Sequence, residues 1–184
     1  MSVQKLDSRI IKYRLYDEVS SGVLYYTLDL DKYSLSIDGE TTAGYKWVET
    51  PTSEGFIELM IRCDSGYLLN KLFDKVFDLE KSIKSVIEYF EEYELFDCEY
   101  ESDEKQDFLE EINGIDCDCE NCFIERVIAI LDDYDKHDIE ADYDLWNRIE
   151  RSYKYWDKKA VDLFCEFIKP ELEKEIQNGQ AKTD

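Results

Sequence analysis

Apolar and polar residues alternate with a period of two along the first third of the chain. Between Gly22 and Asp31, Leu24, Tyr26, Leu28 and Leu30 share one face, while Tyr25, Thr27 and Asp29 share the other. The run from Tyr33 to Gly39 repeats the pattern with Tyr33, Leu35 and Ile37 inward. Successive side chains of a strand point to opposite faces, so strands are predicted over 23–30 and 33–38. Asp31-Lys32 reads as the turn of their hairpin. A third strand is predicted from Tyr45 to Glu49. A fourth is predicted from Gly55 to Cys63, where Ile57, Leu59 and Ile61 alternate with Glu58, Met60 and Arg62. Gly39, Gly44, Pro51 and Gly55 punctuate the connections. Residues 9–17 fit either another strand or a short helix.

The period changes after Cys63. A helical pattern starts over Leu68–Phe77 and continues over Asp78–Phe96, with Leu79, Ile83, Val86, Ile87 and Phe90 on one face and Asp78 placed as N-cap. A short helix is predicted around 104–113 (Phe108, Leu109, Ile112), stopped at Asn113-Gly114. Another is predicted at about 121–133, carrying Phe123, Ile124, Val127, Ile128 and Leu131. The last, from about 143, uses Leu145, Ile149, Tyr153, Trp156, Ala160, Leu163, Phe164 and Phe167. Pro170 should break or kink it, leaving a coda at 171–177 and a frayed tail at 179–184.

Strands first and helices after define an α+β chain. The expected architecture is an N-terminal antiparallel β-meander of four to five strands, followed by four to five helices packed on it. At 184 residues, 1–184 is read as a single domain, mainly β over 1–66 and mainly α over 67–178. A boundary near residue 76 stays open, although the short connection there favours one shared core.

Composition adds to this picture. Hydrophobic content of 43% and aromatic content of 14% are enough for a folded core despite the high charge. There is no apolar run of about 18 residues to span a membrane, and the charged N-terminus lacks the apolar core of a secretory signal. Six irregularly spaced cysteines do not make a disulfide framework, so a reducing cytoplasm is the expected compartment. Sixteen Lys to six Arg, with only five Ala, points by association to an AT-rich genome, such as that of a low-GC bacterium or its phage.

Charge changes the picture most. The net charge is −23, and residues 88–144 hold 23 acids against Lys105, Arg126 and Lys136, so that stretch alone carries −20. Halophilic adaptation would spread acids over the whole surface. The candidate partner-binding residues are Glu88, Glu91, Glu92, Glu94, Asp97, Glu99, Glu101, Asp103, Glu104, Asp107, Glu110 and Glu111, with Tyr93 and Tyr100 among them as contact area. Carboxylates four apart on a helix repel, and two at about 6 Å in water cost roughly 0.7 kcal/mol. Concentrating them is therefore a stability cost that solubility alone does not require. Such a surface suits a basic partner. DNA carries one charge per roughly 1.7 Å of axis, and proteins that handle it line their grooves with Lys and Arg. The alternative is a solvated face with no partner.

Two further clusters bear on chemistry. Cys117, Cys119 and Cys122 form C-x-C-x-x-C, but a structural zinc site needs four ligands, and Cys98, His137 and Cys165 stand at no diagnostic distance. Asp116, Asp118 and Glu120 should raise the thiol pKa values, against an opposite effect on Cys122 near a helix start. The run Asp132–Asp144 is similar in spacing to a calcium loop registered at Asp133, Asp135 and His137. Asp138 stands where glycine is needed, and Asp144 where a longer Glu is needed.

Catalytic signatures are missing. His137 is the one histidine. Gly39 and Gly44 have phosphate-loop spacing, but Tyr45 replaces the required Lys and strands flank the loop. No cofactor motif occurs. The sequence therefore predicts a non-enzymatic acidic binding protein, cytoplasmic and without a cofactor. It would act as a nucleic-acid-mimic decoy or inhibitor of a basic nucleic-acid-handling protein, of anti-restriction, anti-CRISPR or nuclease-immunity type. Direct nucleic-acid binding and membrane binding are not expected, and the oligomeric state is not encoded. A divalent-metal-binding protein and a plain acidic scaffold subunit are the alternatives.

Overall fold

The structure, a computed structural model, describes residues 9–19, 21–48, 55–92, 102–134 and 141–180. Four antiparallel strands form a meander in chain order: β1 (Ile10–Asp17), β2 (Gly22–Asp29), β3 (Ser34–Gly39) and β4 (Ala43–Lys46). Residues 9–17 thus resolve as a strand. The hairpin of β2 and β3 pairs Leu28 with Leu35 and Tyr26 with Ile37, as the alternation requires. Its turn is held by Asp29, whose carboxylate accepts the backbone N–H groups of Asp31 at 3.2 Å and Lys32 at 3.0 Å. Tyr33 is drawn into the turn at φ 52° and is exposed, not inward.

The strand expected over Gly55 to Cys63 is a helix, α1 (Phe56–Arg62). Phe56, Ile57, Leu59, Met60 and Ile61 fit both periods, because the run is almost continuously apolar. Local chemistry decides for the helix: the Glu58 carboxylate accepts the Gly55 N–H at 3.1 Å, and Phe56 and Met60, four apart, are the buried pair. Next, α2 (Ser65–Leu72) is capped by Asp64, which accepts the Tyr67 N–H at 2.7 Å. The helical pattern expected to run on through Phe77 stops there, and Val76–Phe77 form a short strand, β5.

Then follow α3 (Leu79–Glu92), α4 (Ser102–Asn113), α5 (Glu120–Asp133), α6 (Ala141–Trp146), strand β6 (Arg151–Ser152), α7 (Tyr155–Leu163) and α8 (Lys169–Gln180). Among the described residues the helices number eight, more than expected, and none is long and apolar enough to cross a membrane. The single last helix predicted from 143 is interrupted by β6, because its spacing of apolar residues runs across two clusters. Leu145 and Ile149 belong to one, Ala160 and Phe164 to the other. Nor does Pro170 break the chain. A proline lacks its N–H and crowds the carbonyl four residues back. Here a π turn at Phe164–Ile168 widens the preceding turn, with the Lys169 N–H bonding the Phe164 carbonyl, and the helix continues.

The chain forms two compact units. Residues 1–74 and 153–184 make one, and Lys75–Ser152, inserted between α2 and α7, makes the other. Apolar side chains gather accordingly in two clusters. In the first, Leu24, Tyr26, Leu28, Leu35 and Ile37 of the sheet meet Phe56, Met60, Leu68, Phe164 and Leu172 of α1, α2, the π turn and α8. Fully burying side chains of this size contributes about 1.5–3 kcal/mol each. The buried Tyr26 hydroxyl is satisfied by donating to the Ala160 carbonyl at 2.8 Å. In the second cluster, Val86 and Phe90 of α3 pack with Phe108 and Ile112 of α4, Phe123 and Val127 of α5, and Leu145.

Gly39 has no freedom to change. Its φ is +129°, and a Cβ there would lie 2.0 Å from the Val23 carbonyl oxygen. This glycine is required by the backbone geometry at the end of β3. Gly39→Ala is expected to lower unfolding stability by about 1–3 kcal/mol, and Tyr26→Phe by about 1 kcal/mol, in urea titrations. A neutral Gly39→Ala would show that the β3–β4 connection relaxes freely.

Candidate functional site

The acidic surface is built on α3 and α4 of the Lys75–Ser152 unit. Asp78 starts α3 as expected: its Oδ1 accepts the Lys81 N–H at 3.2 Å, and its Oδ2 lies 3.0 Å from Lys81 Nζ. Hydrogen bonds from the Ser152 hydroxyl and from Lys81 hold the Asp78 carboxyl below the usual carboxylate range. With Ser82, Val86, Tyr89 and Phe90 committed to the interior, helical geometry turns Glu88, Glu91 and Glu92 to solvent. In α4, burial of Phe108 and Ile112 likewise leaves Asp107, Glu110 and Glu111 exposed. Gly114 ends α4 as predicted, donating its N–H to the Glu110 and Glu111 carbonyls.

Neutralisation of these acids is sparse. Glu88 lies 3.6 Å from Lys84 in an exposed pair, which is worth little. Glu110 accepts from the Gln106 amide at 2.9 Å, and Glu111 from the Tyr134 hydroxyl at 3.1 Å. Among the described residues, Glu91, Glu92 and Asp107 have no cationic partner. Tyr93, Glu94, Asp97, Glu99, Tyr100 and Glu101 lie outside the described residues; Asp103 and Glu104 lie on α4, their side chains outside them. The charge follows the division of the chain: Lys75–Ser152 carries 26 acids and 8 bases, a balance of −18, and the other unit −5.

The cysteine cluster is only partly brought together. Cys117 and Cys122 interact through their thiols, while Cys119 is the exposed N-cap of α5. Burial first, and the Cys122 thiol second, push the Cys117 thiol up, in place of the flanking carboxylates expected to do so. Among the described residues, no three His, Cys, Asp or Glu side chains converge on a point that could hold a metal ion. Of the calcium-like run, residues 135–140, including Asp135, His137 and Asp138, lie outside the described residues. Asp144 accepts the Tyr89 hydroxyl at 3.3 Å, and the Arg148 guanidinium sits 4.4 Å above the Tyr89 ring.

Two features of this unit were not read from the sequence. Arg151 grips Glu120 through two hydrogen bonds of 2.7 Å, tying β6 to the start of α5 and holding the Glu120 carboxyl low. An open cleft of about 820 Å³ runs along α3, its apolar lining supplied by Leu79, Ile83 and Ile87. The signal for it was present, since these residues stand four apart. Periodicity puts them on one face with Val86 and Phe90, and they are half-buried where those two are fully buried.

Fold and surface together define an acidic α+β protein with its charge on one inserted unit. A family model, Phage_phiTE_072, described as a phage family, matches residues 1–178, and the chain belongs to that family. No curated protein and no solved structure matches it.

The Asp78 cap carries a pH signature. Its folded pKa is lowered, so its stabilisation is fully present above the unfolded value of about 3.9 and is lost as pH falls through the folded value. Asp78→Ala should cost about 1 kcal/mol at neutral pH, and the difference from the parent chain should shrink on acidification below about pH 4. Urea unfolding across that range checks it; a gap that stays constant would show that the charge of Asp78 is irrelevant.

Proposed function

We propose that this phage-family protein is a non-enzymatic binder whose acidic unit occupies the nucleic-acid-binding surface of a basic, nucleic-acid-handling protein. Nuclease, restriction and CRISPR machinery of the host are the classes such a decoy would meet. The observation that carries the reading is the allocation of charge. One compact unit holds −18 of the net −23, and its described helices keep Glu91, Glu92 and Asp107 exposed without cationic partners. Like charges spaced by one helical turn resemble a phosphate backbone in sign and approximate spacing, and their field speeds encounter with a cationic groove. The same field disfavours direct contact with nucleic acid.

The test is capture at low salt from a host lysate, followed by elution in a salt gradient. Captured proteins should be nucleic-acid binders that duplex DNA displaces in competition. Reversing Glu91, Glu92, Asp107 and Glu110 to Lys should lower capture at least tenfold, or about 1.4 kcal/mol. The fold should be intact or firmer, because repulsion is relieved. Capture that survives the four reversals, or that DNA cannot compete away, would remove the decoy reading.

A further inference from the structure

The cleft along α3 combines two properties that an acidic decoy surface alone does not need. Leu79, Ile83 and Ile87 stand at i, i+4 and i+8, forming a half-buried stripe one position round the helix from the buried Ser82, Val86 and Phe90. The stripe is about 12 Å long at 1.5 Å per residue, roughly two helical turns. Asn113, at the end of α4, also lines the cleft. The charges that line the cleft are acidic on balance. Asp78 is matched by Lys81 at 3.0 Å and Glu88 by Lys84 at 3.6 Å, which leaves Glu80 and Glu91 with no cationic partner among the described residues.

The geometry points to an α3 cleft that takes a short amphipathic helical segment of the partner, its aliphatic residues on the Leu79–Ile83–Ile87 stripe and its flanking Lys or Arg beside Glu80 and Glu91. This rests on the reading of the acidic unit given above and specifies how its partner is held. A helix laid in a groove is anchored at i, i+3 or i+4, and i+7, which matches a stripe of two turns. Charge selects the occupant. A second copy of this chain would bring Glu80, Glu88 and Glu91 against their own kind, whereas a basic segment meets opposite charge. Apolar contact would also give the interaction a part that salt does not screen.

The experiment titrates the full chain with three probes at about 0.15 M salt, where exposed charges are screened beyond about 8 Å. They are a leucine–lysine peptide of about four helical turns with leucines on one face, a permuted peptide of identical composition, and an oligolysine of equal charge. The amphipathic peptide should bind at least about tenfold tighter than the permuted one, and its addition should shift the backbone amide resonances of residues 79–91 in the unmodified chain. Ile83→Asn should abolish that preference, and Glu80→Lys with Glu91→Lys should weaken both peptides. The amide shifts keep the test decisive even where Ile83→Asn unfolds the unit. Equal binding of all three probes would overturn the cleft while leaving the acidic surface standing. Binding of none would take both away. Self-association without peptide that Ile83→Asn abolishes would give the cleft to a second copy and overturn the proposal.

Discussion

A unit of 78 residues carrying −18 works against itself, and its two ends are tied together. The tie is a buried hydroxyl. Ser82, fully buried on α3, donates to the Asp78 carbonyl at 2.8 Å and accepts the Glu150 N–H at 2.9 Å. The Asp78 N–H bonds the Glu150 carbonyl at 2.9 Å, and next to it Phe77 pairs with Arg151 and Val76 with Ser152. Arg151 then reaches Glu120, fastening the same point to α5. Beyond this knot, the aromatic and aliphatic packing of Phe90, Phe108, Phe123 and Val127 offsets carboxylate repulsion. Because the interior is so apolar, the acids have nowhere to be but outside.

Local signals were legible in the sequence and non-local ones were not. The β2–β3 hairpin, the Asp78 cap and the Gly114 stop each depend on residues within a few positions of one another, and each was found where the pattern put it. The run Phe56–Ile61 failed because nearly every residue in it is apolar, so periods of 2 and 3.6 fit equally and only the Glu58–Gly55 bond separates them. The final helix failed for a different reason. Ile149 and Trp156 are spaced as if on one helix face, yet they serve different clusters. No window of sequence shows that the chain after Ser152 rejoins residues 1–74.

The candidate surface divides along the same line. That Glu88, Glu91, Glu92, Asp107, Glu110 and Glu111 would face solvent followed from which neighbours were apolar, and they do. That Leu79, Ile83 and Ile87 would be shared between the interior and a cleft did not follow, because periodicity gives the width of an apolar stripe and not what covers its edge. Charge and hydrophobicity thus meet on one helix. A purely anionic helix attracts any cation from a distance, whereas an aliphatic seam beside it rewards only partners with a matching ridge.

The antiparallel pairing at the neck of the acidic unit also fixes where that stretch joins the rest of the chain. Facing residues on such strands have their Cα atoms only about 5 Å apart, so the stretch Lys75–Ser152 leaves and returns through almost the same point. Val76 and Ser152 stand one strand spacing apart, so the whole stretch opens and closes at one place along the chain.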